Sequence, residues 1–364
     1  MTRPRGSWLK HFALAAAETD RLREHPDHIA LLAAGMLGEA GSVIAELKKE
    51  QRDLEAYPGY LQRMVEEVGD FIWYFVRLVT ELDDALLLDL VKLRPRASRK
   101  SKSVGLFLQF GAAVANLLDS LTAHDFQPFA GFRAEASSTW RILLAVAKRL
   151  DLDVNQAATA NIAKIRSRWP KKRQYNPFFD DQHNIDEQLP RKLTVDFLDR
   201  EHGKQRVVVL RCNNINFGDR LTDNIEDPDG YRYHDIFHFS YAVYLGWSPV
   251  VRALLRTKRK SVPKKDEGQD GARAVILEEA VSAIVFNRAK RLNFFDGIEK
   301  VDFDLLKLVR EFVSGYEVEH IPMWQWEVAI LEGYRMFRLL RNNNGGTITL
   351  DLKRRVLKFK AAPR

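Results

Sequence analysis

The sequence predicts a mainly α-helical protein: an all-α bundle over residues 1–175, then an α+β domain over 185–364 built of helices with two β-hairpins. Three observations carry that reading. Apolar residues recur at three- and four-residue spacing through 28–48, 61–82, 104–121 and 136–166, with no convincing strand among them. From about 190 the texture changes, because "KLTVDFLD" and "QRVVVLRCN" are β-rich runs around the turn "REHGK", and "NNNGGTITLDLKRRVLKFK" closes the chain as a second such pair. Between the hairpins helical spacing returns from about 231 to 341, broken by a charged stretch at 256–271, and the domain boundary is expected near 171–184.

Length and composition agree. A chain of 364 residues suits two domains, and 46% hydrophobic with 29% charged residues is the balance of a globular protein. The apolar runs look too short to cross a bilayer, so no membrane span is expected. The start, "MTRPRGSWLKHFALAAAETD", reads as an amphipathic helix, since charge returns before a signal sequence could form. The single cysteine, Cys212, leaves no internal disulfide and no cysteine-based zinc cluster, which fits a cytoplasmic protein. The net charge of +8 is concentrated in runs at 94–102, 168–173 and 256–265, expected to be solvated loops or contacts to phosphate.

The helical half contains an internal echo. "ELDDALLLDLVKLRPR" (81–96) aligns with "RLDLDVNQAATANIAKIRSR" (149–168) after a four-residue gap, and "FIWYFVRLVTEL" aligns with "TWRILLAVAKRL". "FGAAVANLLDSL" takes the place of "LGEAGSVIAELK", with Ala112 where Glu39 would be and Ser138 where Asp70 would be. The half therefore reads as a degenerate tandem duplication whose second copy has lost its acids.

Those acids carry the chemistry. Glu67 and Asp70 are three apart and share a helix face, as do Glu39 and Ser42, with Glu46 a turn further on. If "AYPGY" lets the two helices pack antiparallel, Glu39 approaches the Glu67/Asp70 pair. Leu37, Val43, Ile44, Val68, Phe71, Ile72 and Tyr74 lie around them, and unpaired carboxylates in such surroundings need a cation or protons. Hard carboxylate oxygens favour Mg²⁺ or Mn²⁺.

"GMLGEAGSVIAELKK" followed by "VEEVGDFIWYFVRL" resembles the MazG-like, all-α nucleoside triphosphate pyrophosphohydrolase family, over about residues 25–170. The resemblance implies an ExxE, spacer, ExxD pattern in which Glu39 is the first acid, Glu67 the third and Asp70 the fourth, binding Mg²⁺. It implies hydrolysis of (deoxy)nucleoside triphosphates to monophosphate and pyrophosphate. The second acid is replaced by Ser42, so Glu46 or a water on Ser42 compensates, or turnover falls. The closing helix implies that Asn161, Lys164 and Arg168 hold the phosphates.

In the second half, "DGYRYHDIFHFSYAVYLGW" puts His234 and His238 one turn apart with Asp235 beside them, and "ILEEAVSAIVFNRAK" supplies Glu278 and Glu279. A histidine pair at i and i+4 with a neighbouring carboxylate is either a second metal site or a buried polar network. "EEAVSAIVFNRAKRL" also echoes "EEVGDFIWYFVRLV". The task of this half stays open. Beside an Mg²⁺-dependent pyrophosphohydrolase stand two alternatives: a nucleotide-binding sensor with reduced turnover coupled to an effector or metal site around His234, and a nucleic-acid-associated protein. The chain is expected as a homodimer or as a monomer with a pseudo-dimeric N-terminal domain.

Overall fold

Helix α2 (His28–Asp53) begins the arrangement that positions the acids: Leu32, Met36, Ala40, Val43 and Leu47 make one buried stripe along it. That stripe packs on α3 (Tyr60–Asp83), whose Met64, Val68, Phe71, Ile72, Phe75 and Val79 are buried in turn. The computed structural model describes residues 7–95, 103–203 and 205–362. The basic run expected at 94–102 falls largely outside them. The chain divides into two units, Met1–Lys171 and Lys172–Arg364.

The first unit adds α1 (Ser7–Thr19), α4 (Leu86–Leu90), α5 (Ser103–Ala123), α6 (Phe132–Arg149) and α7 (Val154–Arg168). The helical stretch read as 136–166 is broken, because Asp151 takes a positive φ of 54° and Asp153 then caps α7, its Oδ1 accepting from the Asn155 N–H at 2.8 Å. Helices α5 and α6 pair as α2 and α3 do, and α2 packs on α5. Helix α7, aligned with α4 in the repeat, packs on α3, while α4 lies against α3, α6 and α1. A buried ion pair between Arg77 Nε and Asp20 Oδ2 at 2.9 Å, joined by His28 Nε2 at 2.9 Å, ties α3 to the segment after α1.

By length and composition α2 and α5 are apolar enough to cross a bilayer, contrary to the expectation from apolar runs alone. One face of each lines this unit's core, with Phe107, Phe110, Val114, Leu117 and Leu121 of α5 buried, while Leu37 of α2 and Val104 and Leu108 of α5 are exposed.

The second unit is α+β. Strands β1 (Lys192–His202), β2 (Gln205–Cys212) and β3 (Ile215–Leu221) lead into α8 (Asp235–Leu245), α9 (Pro249–Leu255), α10 (Pro263–Gly268), α11 (Ala272–Lys290), α12 (Phe303–Phe312) and α13 (Met323–Asn342). Strands β4 (Gly345–Asp351) and β5 (Val356–Lys360) complete it. The two expected hairpins form one antiparallel sheet, β3-β2-β1-β4-β5, because β1 pairs with both β2 and β4. That close approach needs glycine: at Gly345, φ 105°, a Cβ would lie 2.3 Å from the Phe197 carbonyl oxygen. The sheet's inner face, with Val195, Phe197, Val208, Leu210, Ile348 and Leu350, joins a core around α8 and α13, and every residue of α8 is buried. Trp247, Trp324 and Trp326 are buried too.

The charged stretch 256–271 is largely exposed, as a solvated segment would be, but Arg259 and Asp270 within it are buried. Arg259 is 0% exposed, with Nη2 2.6 Å from Asp270 Oδ1 and 2.7 Å from Glu317 Oε1. Arg252 pairs with Asp180 at 2.7 Å. Lys265, in α10, reaches Glu317 at 2.8 Å. Arg259 and Lys265 tie the stretch to Glu317, which is 7% exposed at the side chain.

Candidate active site

Helices α2 and α3 bring Glu39, Glu67 and Asp70 together: one oxygen from each lies within 4.8 Å of the others, and all three side chains are half-buried. Three carboxylates so close repel one another as anions. The consequence falls on Glu39, whose carboxyl is pushed up to about 7, first by burial and then by the charges of Asp70 and Glu67. Val43, Val68, Phe71 and Ile72 are buried in the same pair of helices, whereas Leu37 is 40% exposed and stands apart from that packing.

The third side of the group comes from α7. Lys164 Nζ lies 2.6 Å from Asp70 Oδ1 and 2.5 Å from Oδ2, and 3.1 Å from Glu66 Oε1. Asn161 donates from Nδ2 to Asp70 Oδ1 at 2.5 Å. Burial alone would discharge the lysine, but Asp70 and Glu66 overcome it and hold the ammonium above its usual range. What admits α7 so near is Gly69, where a Cβ would lie 2.6 Å from the Ala157 carbonyl oxygen. One residue before the acid, a missing side chain thus sets the distance between acid and cation.

Glu46 is not part of the group: its carboxylate, 3% exposed, is taken by Lys49 at 2.5 Å and by the Tyr57 hydroxyl. Lys164 is paired with Asp70 and Glu66. Arg168 packs its guanidinium over the Trp169 ring, 4.8 Å from the centroid. Gly38 and Gly41, beside Glu39, serve no packing, since a Cβ at either would meet nothing within 4 Å. Glu66 was missed, although its i, i+4 spacing from Asp70 put it on the same helix face. The second copy has not lost every acid: in the alignment above Glu135 stands where Glu67 does, accepting from Ser120 Oγ at 3.1 Å.

The second unit holds its own group. His234, Asp235 and His238, all buried, have ligand atoms within 4.8 Å of one another. Glu278 lies 2.9 Å from His238 Nδ1, and Glu279 lies 3.3 Å from Nε2. Among the described residues two groups of side chains therefore have the donors to hold a divalent cation, one in each unit.

A model of the MazG C-terminal domain matches residues 174–363, more than half of the chain. The chain belongs to the MazG C-terminal domain family. The match falls on the half to which sequence reading gave no family, and residues 25–170, which carry the acidic resemblance, lie outside it. Membership in the MazG family points to a nucleotide-related function of the pyrophosphohydrolase kind. No curated protein and no solved structure matches the chain.

Proposed function

We propose that the first unit of this MazG-family chain hydrolyses nucleoside triphosphates to monophosphate and pyrophosphate with Mg²⁺, or Mn²⁺ in its place. The observation that carries the reading is the convergence of Glu39, Glu67 and Asp70 on one point, with Lys164 and Asn161 fixing Asp70 from behind. An all-oxygen donor set whose members repel one another suits a hard divalent cation, so Glu39, Glu67 and Asp70 would hold it. When bound, the ion would neutralise triphosphate charge and favour a water as nucleophile.

The chain's own residues do the rest. Asn161 and Lys164 orient Asp70, and Glu66 shares the lysine's charge. A carboxylate of the group accepts the proton of the attacking water as its oxygen bonds to the α-phosphorus and the bond from that phosphorus to the pyrophosphate oxygen breaks. Lys164, held charged by Asp70 and Glu66, would also offer a donor to a phosphate.

The test is pyrophosphate release from a panel of ribo- and deoxyribonucleoside triphosphates with Mg²⁺. Turnover is expected in the wild type and none in Glu67→Ala/Asp70→Ala. Full turnover in that double variant would remove the site. A second reading rests on Ser42 standing where the resemblance implies an acid: a nucleotide sensor without turnover, which the same panel would report as saturable binding with no pyrophosphate released.

A further inference from the structure

The group in the second unit has its own preparation for a ligand. His234 precedes α8, and its Nδ1 lies 2.9 Å from the Tyr231 carbonyl oxygen. A carbonyl can only accept, so Nδ1 carries the proton and donates, leaving the lone pair on Nε2. The ring is held flat against Tyr231, centroids 4.4 Å apart and planes 3° from parallel. His234 Nε2 then faces Asp235 Oδ1 at 3.5 Å, outside the range of a good hydrogen bond.

His238 repeats the pattern one turn on. Its Nδ1 lies 2.9 Å from Glu278 Oε1. Glu278 is immobilised by Ser248 Oγ at 2.7 Å and the Val250 N–H at 2.8 Å. His238 is fully buried, and its Nε2 makes no well-formed hydrogen bond, although Glu279 Oε1 stands 3.3 Å away. An acceptor behind each imidazole fixes the ring and the tautomer and leaves Nε2 to bind, which is how proteins hold metal-ligating histidines. A charged His238 between Glu278 and Glu279 would account for that ring, but not for a second aligned imidazole and a buried Asp235 on the same side.

We propose that His234, Asp235 and His238, with Glu279 from α11, form a site for one divalent transition metal of the zinc, iron or manganese group. Two imidazole nitrogens with one or two carboxylates separate it from the oxygen-only group of the first unit: imidazole favours zinc or iron, whereas Mg²⁺ prefers oxygen alone. The proposal does not depend on hydrolysis in the first unit.

Untagged full-length protein, stripped with chelator, is re-equilibrated with Zn²⁺ in excess Mg²⁺, which occupies oxygen-only sites, and bound zinc is measured by elemental analysis. One equivalent is expected to remain and to raise the thermal midpoint. His234→Asn should abolish the uptake, and Glu279→Gln should weaken it about ten-fold or more. If His234→Asn fails to fold, judged by far-UV circular dichroism, the isosteric Asp235→Asn replaces it. No zinc on folded wild type, or undiminished uptake in the folded variant, would overturn the site in favour of a buried ion network.

Discussion

Lys164 and Asp70 are 94 residues apart in the chain, yet the ammonium of one meets both oxygens of the other, at 2.5 and 2.6 Å. Asp70 belongs to the first copy of the internal repeat and Lys164 to the second. The pairing exists because α7 packs on α3. The acid-bearing pair α2 and α3 is thus completed by α7, the last helix of the unit.

The first prediction concerns the double role this gives Lys164. On the proposed function its charge would compete with a metal ion for Asp70, and it would also meet a phosphate. Lys164→Met should therefore tighten Mn²⁺ binding in nucleotide-free protein several-fold while lowering turnover about ten-fold, the loss of one charge-assisted contact of roughly 1.5–3 kcal/mol. Calorimetric titration and steady-state kinetics read the two effects separately. Weaker metal binding in the variant would mean that the lysine supports the acids and does not compete for them.

Glu39 sets a pH dependence. Its carboxyl in the folded protein is pushed up to about 7 from an ordinary value of 4.5. The folded state then binds more protons than the unfolded one between those values, so this group's stabilisation is full below about pH 4.5 and is lost as pH rises through 7. Metal-free Glu39→Gln, which mimics the protonated form, should match wild type at pH 4.5 and exceed it at pH 8. The gain should be about 1–2 kcal/mol once solvent screening of a partly exposed group is allowed for. Urea denaturation at the two pH values checks it; equal stability at pH 8 would show that the acids do not strain one another.

Much of this site was legible because helical spacing is local. The i, i+3 relation of Glu67 and Asp70, the apolar residues between them and the repeat are all visible in the chain. That α7 would meet the acids of α3 was legible too, since the first copy keeps Glu39, Glu67 and Asp70 while the second keeps Asn161 and Lys164. Strand β3 was missed: "INFGDRL" is a polar, mostly exposed edge strand with Gly218 inside it, so it carries neither alternation nor a β-branched run. The buried Arg259 was misread because a run of cations looks solvated until Glu317, 58 residues away, is placed beside it.

Glycine substitutions separate packing from mere sequence likeness. Gly69→Ala puts a Cβ 2.6 Å from the Ala157 carbonyl oxygen, so α7 must move away from α3. It should cost about 1–3 kcal/mol as an overpacked contact and should lower turnover as the Lys164–Asp70 pair separates. Gly38→Ala meets nothing and should stabilise α2 by up to about 1 kcal/mol through helix propensity. Thermal denaturation of both variants checks the contrast; equal effects would show that α7 does not sit against Gly69.

Arg259→Met tests the buried cation of the second unit. Removing it leaves Asp270 and Glu317, respectively 1% and 7% exposed at the side chain, without their guanidinium partner. The expected loss is about 3–5 kcal/mol, against less than about 0.5 for the exposed Lys260→Met. Guanidinium denaturation measures both, and a small effect at Arg259 would mean that its partners take up water or Lys265 instead.

The repeat predicts one nucleotide site per chain. The second copy keeps Glu135 where Glu67 stands, but Ala112 and Ser138 replace the other two acids, and Glu135 is already bonded to Ser120 Oγ. Its closing segment is α4 and the turn after it, where Asp89 and Lys92 occupy the places of Asn161 and Lys164. Lys92 is 72% exposed and bonded to Asp89 at 3.0 Å, so it faces solvent and brings no buried cation to an acid. One carboxylate without a partnered lysine has neither the charge for a divalent ion nor the means to meet a triphosphate. Calorimetry with a non-hydrolysable triphosphate and Mg²⁺ should therefore give one equivalent per chain. Glu135→Gln should leave kcat/KM within about two-fold, whereas Glu67→Gln should lower it by a hundred-fold or more, about 2.7 kcal/mol at 1.36 kcal/mol per decade. Two equivalents of nucleotide, or a large loss in Glu135→Gln, would show that the second copy still binds.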